Sequence, residues 1–345
     1  MFCYQCEQTF RGSGCVSAGV CGKDADVAAL QDLLIYQLEG IAVYAKAILY
    51  GGVKIDSKVS RFTIDALFST LTNVNFDAED FFAALKESGQ IKAHLAAQAD
   101  LNGTLPPAAR YRLPEKREAI QIDANLINIR PQAGDSSDVQ SLKDTLLYGL
   151  KGTAAYAHHA WRLGYRSAEV EHGLFRFLAA LVDDALGLQD MVSLVMEFGK
   201  VNLTCMQLLD QANTSAFGHP EPTQVLVSRK KGPFIVISGH DLDDLCQLLD
   251  QTQGKGVNVY THGEMLPALA YPELKKYPHL IGNYGSAWQN QQREFANLPG
   301  CVLMTTNCLM EPRDSYKDRI FTTGLVGWPE IPHIPEANGN KDFSA

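Results

Sequence analysis

The sequence predicts a multidomain α plus α/β chain: two related helical bundles followed by a Rossmann-like parallel α/β domain. Three observations carry this class. Apolar residues recur at helical spacing from Asp26 through residue 212. A stretch starting at residue 30 is echoed at residue 142. Beyond residue 222 the pattern changes to short continuous apolar runs separated by helical ones, which marks parallel strands covered on both faces. At 345 residues the chain is long for one core. The expected domains are 1–130, a cysteine-rich segment with the first bundle; 131–222, the second bundle; and 223–345, the α/β domain.

Composition excludes several function classes. Hydrophobic residues make up 46% and charged residues 20%, as in an ordinary globular protein. A net charge of −9 argues against a nucleic-acid partner, which needs clustered Lys and Arg. The one basic cluster, "SRKKGP" at 228–233, reads as a turn. No stretch approaches the ~20 uninterrupted apolar residues of a membrane span, and the N-terminus lacks the apolar core of a signal peptide. These features point to the cytoplasm, where thiols stay reduced and clustered cysteines hold metals more often than disulfides.

The first element is the opening "MFCYQCEQTFRGSGCVSAGVCGKDAD", with Cys3, Cys6, Cys15 and Cys21 spaced C-x2-C-x8-C-x5-C. Gly12, Gly14, Gly19 and Gly22 give this loop the freedom to wrap a centre. Three chemistries compete. Structural disulfides fit poorly without a secretion signal, and zinc favours two CxxC knuckles where only one is present. An iron–sulfur cluster held by four thiolates is favoured, although the spacing matches neither common ferredoxin run. Four protein thiolates leave no open position for substrate, so such a cluster reads as an electron relay.

Next, "DVAALQDLLIYQLEGIAVYAKAILY" (26–50) reads as an amphipathic helix with Leu30, Leu33, Leu34, Leu38 and Ile41 on one face and Asp24 or Asp26 as its cap. Another helical pattern follows at 77–98, then a break at "LNGTLPPAARY". Laying residue 30 on residue 142 aligns "LQDLLIYQLEGIAVYAKA" with "LKDTLLYGLKGTAAYAHH", with nine matches in eighteen positions. Two related bundles are therefore expected, joined near the loop at 128–138. His158, His159 and His172 on the second bundle read as structural, and Cys205 as a buried thiol.

In the last domain, "PFIVISGH" runs to His240, "VNVYTHGE" to Glu264 and "CVLMTTNC" to Cys308. Ligands of open parallel sheets bind outside the carboxyl ends of the strands. An imidazole, a carboxylate and a thiolate delivered to that rim suit a mixed O/N/S iron site. Taken singly, each has a plainer reading: His240 and Glu264 at helix starts, Cys308 as an inert thiol like Cys246 and Cys301. His262 is a candidate supporting residue or proton donor beside Glu264.

These motifs, with "MFCYQCEQT", "GVCGK", "FSTLTNVNFD", "LYGLKG", "SGHDLDDL", "VNVYTHGEMLPA", "IGNYGSAWQNQQ" and "DSYKDRIFTTGLVGWP", closely resemble the hybrid cluster protein family, the prismane proteins or hydroxylamine reductases. The resemblance covers the N-terminal two-thirds of that family's chains. It implies that Cys3, Cys6, Cys15 and Cys21 hold a [4Fe–4S] cluster. It also implies that His240, Glu264 and Cys308 belong to the ligand set of a hybrid [4Fe–2O–2S] cluster, where the chemistry occurs. The implied reaction reduces hydroxylamine to ammonia and water, with nitric oxide reduction and S-nitrosylation in some members. The implied partners are a redox donor protein and a small nitrogen-oxide substrate. Family chains carry a second α/β domain with three further cysteines, a glutamate and a lysine, so a complete hybrid cluster needs those donors from elsewhere, such as a second chain. The competing expectations are an electron-transfer or redox-sensing module that keeps only the cubane, or a zinc scaffold.

Overall fold

Asp24 opens the first long helix, Ala25–Tyr50 (α1), by accepting a hydrogen bond from the Val27 amide at 2.7 Å. That is the side-chain cap an exposed helix N-terminus needs. The computed structural model describes residues 1–99, 101, 104–129 and 136–344. After α1 come Ser57–Ser69 (α2), Ala78–Gln98 (α3), Pro107–Arg110 (α4), Arg117–Leu126 (α5), Ser137–Arg162 (α6), Ala168–Leu181 (α7) and Leu188–Phe217 (α8). The chain divides into one unit of Met1–Leu71, Asp77–His158 and Arg166–Leu208, and a second of Thr72–Phe76, His159–Tyr165 and Leu209–Ala345. The boundary expected at 130/131 lies outside the described residues.

Within the first unit α1 contacts α2, α3, α4, α5 and α7. It is therefore not the one-sided amphipathic helix its leucines suggest. Leu30, Leu33, Leu34 and Leu38 are fully buried, each contributing ~1.5–3 kcal/mol. So are the polar Gln31, Asp32, Gln37 and Glu39. Asp32 and Gln31 accept hydrogen bonds from Gln5 and Lys23, whereas, among the described residues, both side-chain polar atoms of Gln37 are buried without a hydrogen-bond partner. Among the described residues, α1 is the one helix whose length and composition would let it cross a membrane, and 67% of that window is buried inside the protein.

The second unit is built on a six-stranded parallel sheet. Its strands are Phe234–Ser238 (β1), Asn258–His262 (β2), Leu280–Tyr284 (β3), Cys301–Met304 (β4), Ile320–Thr323 (β5) and His333–Ile334 (β6); a small antiparallel pair, Glu336–Ala337 (β7) and Asn340–Lys341 (β8), follows. The order is β3-β2-β1-β4-β5-β6, so the chain builds outward on one side of β1 and then restarts on the other. That is the doubly wound Rossmann-like order, and its switch point lies between β1 and β4. Ile237, Leu245, Leu248, Val259, Met265 and Leu303 share the core under the sheet. Leu242–Thr252 (α9) follows β1, capped by Asp241, which accepts from the Asp244 amide at 3.0 Å.

Candidate metal centres

The four N-terminal cysteines lie on one folded loop of the first unit. Cys3 and Cys15 face each other across a two-residue antiparallel bridge, with amide-to-carbonyl distances of 2.9 and 3.0 Å. Both are buried, while Cys6 and Cys21 are half-buried. The Phe10 amide donates to the Cys15 sulfur at 3.4 Å, and the Thr9 hydroxyl lies 3.8 Å from it. Burial pushes the Cys15 thiol up, but the Phe10 and Val20 amides and Thr9 outweigh it and hold the group below its ordinary value. The Cys3 thiol is raised by burial.

A polar layer lies beneath the CxxC turn. Gln5, between Cys3 and Cys6, is 3% exposed. Its side-chain amide donates to the Ala28 carbonyl at 2.9 Å and to Asp32, and its side-chain oxygen accepts from Lys23 Nζ at 2.8 Å. Its backbone carbonyl accepts from Lys151 Nζ at 3.2 Å, and the Tyr148 hydroxyl donates to the Tyr4 carbonyl at 2.8 Å. Burial, reinforced by the charge on Lys23, pushes Lys151 down to about 7; burial pushes Asp32 up to about 7. Two buried lysine side chains, Lys23 and Lys151, thus share this layer with one buried acid, Asp32, beneath four thiols. An anionic thiolate-bound cluster fits that donor set. A single zinc ion would hold its sulfurs at ~2.3 Å, yet among the described residues these cysteines do not form a group with donor atoms within 4.8 Å of one another. A multi-iron cluster spreads its thiolates over separate irons and tolerates the wider spacing.

The crest of the sheet is the second candidate. His240 follows β1, Glu264 follows β2 and Cys308 follows β4, so the three flank the switch point. One donor atom from each lies within 4.8 Å of the other two. His240 Nε2 is 2.8 Å from Glu264 Oε2, and Cys308 Sγ donates to the same oxygen at 3.2 Å. Burial, with Glu264 adding to it, raises the Cys308 thiol; burial lowers His240 despite the carboxylate beside it. Cys308 adopts φ 86°, a left-handed conformation that costs a non-glycine residue roughly 1–3 kcal/mol and persists only where surroundings enforce it.

Those surroundings were not evident from the sequence. Gln291, fully buried, donates to the Cys308 carbonyl and accepts from the Met310 amide at 3.1 Å. Asn73 clamps the next residue from both sides: its side-chain amide donates to the Leu309 carbonyl at 2.7 Å and its carbonyl accepts from the Leu309 amide at 3.0 Å. Thr306 accepts from the His240 amide at 2.7 Å and bonds His240 Nδ1 at 3.1 Å, leaving Nε2 as the outward donor. An outer bond of this kind orients a metal-binding imidazole. Asp241 forms an ion pair with Arg162, Oδ2 to Nε 3.1 Å, and Arg162 donates to Asp243 at 2.6 Å, so the turn after His240 is pinned.

His262 is buried, with Ser238 Oγ 3.0 Å from Nδ1 and Glu294 Oε2 3.1 Å from Nε2. The remaining cysteines stand elsewhere. Cys205 is buried on α8 against the Thr153 carbonyl, Cys246 is half-buried on α9, and Cys301 is exposed at the start of β4.

A family profile described as the Prismane/CO dehydrogenase family matches residues 1–345. The chain belongs to that family. Prismane-family proteins carry iron–sulfur clusters, in keeping with both donor sets. Among curated relatives, a hydroxylamine reductase of Natranaerobius thermophilus is 48% identical over 356 residues, covering 100% of this chain and 63% of the relative. One of Solidesulfovibrio magneticus is 50% identical over 335 residues, covering 97% and 62%. The chain thus spans less than two thirds of these prismane-family relatives. Carbon monoxide dehydrogenase IV of Carboxydothermus hydrogenoformans is similar over 97% of this chain and 51% of its own, at 15% identity and a TM-score of 0.38.

Proposed function

We propose that this chain is part of an iron–sulfur oxidoreductase of the hydroxylamine reductase type. In this reading Cys3, Cys6, Cys15 and Cys21 hold a [4Fe–4S] electron-entry cluster. His240, Glu264 and Cys308 supply three ligands of a hybrid [4Fe–2O–2S] cluster that reduces hydroxylamine to ammonia and water. The observation that carries it is the meeting of three chemically different donors at the sheet's switch point, one of them held in a strained conformation. Curated relatives named hydroxylamine reductase support the reaction class.

When bound, an oxygen- and sulfur-bridged iron cluster supplies Lewis acidity and electrons for cleaving an N–O bond. The chain's own residues prepare for it. Thr306 fixes the His240 ring, and burial keeps that imidazole neutral, the form that ligates. Glu264 accepts a hydrogen bond from the Cys308 thiol, whose proton would leave to solvent when a metal binds. Electrons come from a redox donor protein, the substrate is a small nitrogen oxide, and the compartment is the cytoplasm.

One observation favours a second reading. His240 and Glu264 side chains are 33% and 53% exposed, and of the other cysteines of this unit Cys246 lies within α9 and Cys301 at the start of β4, the end opposite the crest. Residues 1–345 alone would then keep only the N-terminal cluster and act as an electron-transfer or redox-sensing module, with the hybrid cluster completed by a second chain. Iron and acid-labile sulfide assays with electron paramagnetic resonance, followed by hydroxylamine-dependent oxidation of reduced viologen, separate the two. Turnover by the chain alone eliminates the module; iron without turnover eliminates the self-sufficient enzyme; absence of iron removes both.

A further inference from the structure

The internal repeat places an acid and a base at equivalent positions. At the offset that lays residue 30 on 142, Glu39 falls on Lys151 and Gln31 on Lys143. The charges interact crosswise: Glu39 with Lys143, and Asp32 with Lys151. The first pair is balanced. The second is not, because Lys23 also acts on Asp32. Lys151 is 1% exposed and Lys23 3%. Lys151 Nζ donates to the Gln5 carbonyl at 3.2 Å and the Thr70 carbonyl at 3.4 Å; Lys23 reaches the Gln5 side chain. Both lysine side chains therefore converge on Gln5, the residue between Cys3 and Cys6; an anion beside them favours their charged forms. Burying an ammonium is costly unless an opposite charge compensates it, and Asp32 compensates one of two.

We propose that Lys151, with Lys23, is the buried counter-charge of the N-terminal cluster and raises its midpoint potential. The proposal rests on the reading that the four cysteines hold an iron–sulfur cluster. A thiolate-ligated cluster is an anion, and reduction adds one electron from an external donor without making or breaking a bond. The reduced form is the more negative one. A positive charge in a low-dielectric interior therefore stabilises it more than the oxidised form. Asp32 acts in the opposite sense, and Lys151 is a positioning residue, since it does not touch the irons' ligand atoms.

The test uses the full chain, purified anaerobically, in mediator-buffered dithionite titrations followed by electron paramagnetic resonance, with iron and sulfide counted in the same samples. Lys151→Met should keep the wild-type iron content and shift the midpoint downward; Lys151→Arg should restore it; Asp32→Asn should shift it upward. A purely structural role for Lys151 would change cluster content without opposite shifts in potential. Full iron content with an unchanged midpoint in Lys151→Met overturns the proposal, as do Lys151→Met and Asp32→Asn shifts of the same sign. Where Lys151→Met loses its iron, Asp32→Asn decides: a rise supports the counter-charge and no change overturns it. A wild-type chain without iron sinks the cluster reading itself, a failure distinct from an unresponsive potential.

Discussion

Replacing Gly239 by alanine attacks the crest where backbone, not chemistry, sets its shape. Gly239 follows β1 with φ +120°, just before His240, and a Cβ built there would lie 2.5 Å from Thr305 Oγ1, 2.6 Å from Thr306 Oγ1 and 2.8 Å from the Thr306 amide. The backbone conformation alone costs a non-glycine residue ~1–3 kcal/mol. Crowding against two buried threonines and a main-chain nitrogen adds ~1–3 kcal/mol. Gly239→Ala should therefore lose about 2–6 kcal/mol, a large share of the ~5–15 kcal/mol of a typical domain. Gly254 gives the control: it has φ +75° with nothing within 4 Å, so Gly254→Ala carries strain of ~1–2 kcal/mol without crowding. The assay is built into the sequence. Trp161, Trp288 and Trp328 all lie in the second unit, so tryptophan fluorescence in a urea titration reads that unit separately. A Gly239→Ala loss no greater than that of Gly254→Ala would refute the steric reasoning.

Three further outcomes are expected. Cys6→Ser should remove iron bound by the N-terminal loop while far-ultraviolet circular dichroism stays at the wild-type level; unchanged iron content contradicts the four-thiolate assignment. Asp65 accepts from Arg61 at 2.6 Å and pairs with His158 at 2.7 Å; burial opposes ionisation, but His158 and Arg61 outweigh it and lower its pKa. A carboxyl depressed on folding stabilises above its unfolded value of ~3.9, and that stability is lost as pH falls through the folded value. Asp65→Asn should thus cost ~1–3 kcal/mol near neutral pH, with the gap to wild type narrowing below about pH 4 in melts across pH; a pH-independent gap would reject the linkage. Finally, iodoacetamide on the native chain should label exposed Cys301 and spare Cys205, whose thiol burial pushes up to about 12, as peptide mass spectrometry would read.

What the sequence made legible follows from how local its signals are. A short apolar run can be read alone, so β1, β2 and β4 were visible without a fold, although they end at Ser238, His262 and Met304 and leave His240, Glu264 and Cys308 on the turns that follow. Strands β3, β5 and β6 were not identified. "LIGNY" carries a glycine and an asparagine inside it and "IFTT" is only four residues long, so neither shows a long apolar run. The residues that shape the crest escaped for a different reason. Asn73 reaches Leu309 across 236 positions and Gln291 reaches Cys308 across 17; a polar side chain in a loop carries no periodicity to betray its partner.

The repeat shows the same limit from the other side. Its nine matches report shared helical packing, and matching leucines and tyrosines say only that two helices have similar cores. The mismatch at Glu39 and Lys151 says more, because two copies of one helix buried in one protein cannot both carry an unpaired charge of the same sign. Divergence to opposite signs lets each copy compensate the other, Glu39 through Lys143 and Lys151 through Asp32. Lys23, reaching in from the cysteine loop, then adds a second lysine to that pair under the CxxC turn. The anionic cluster proposed above would face those two lysines. The repeat is therefore most informative at the one buried position where the charges of its two copies are reversed.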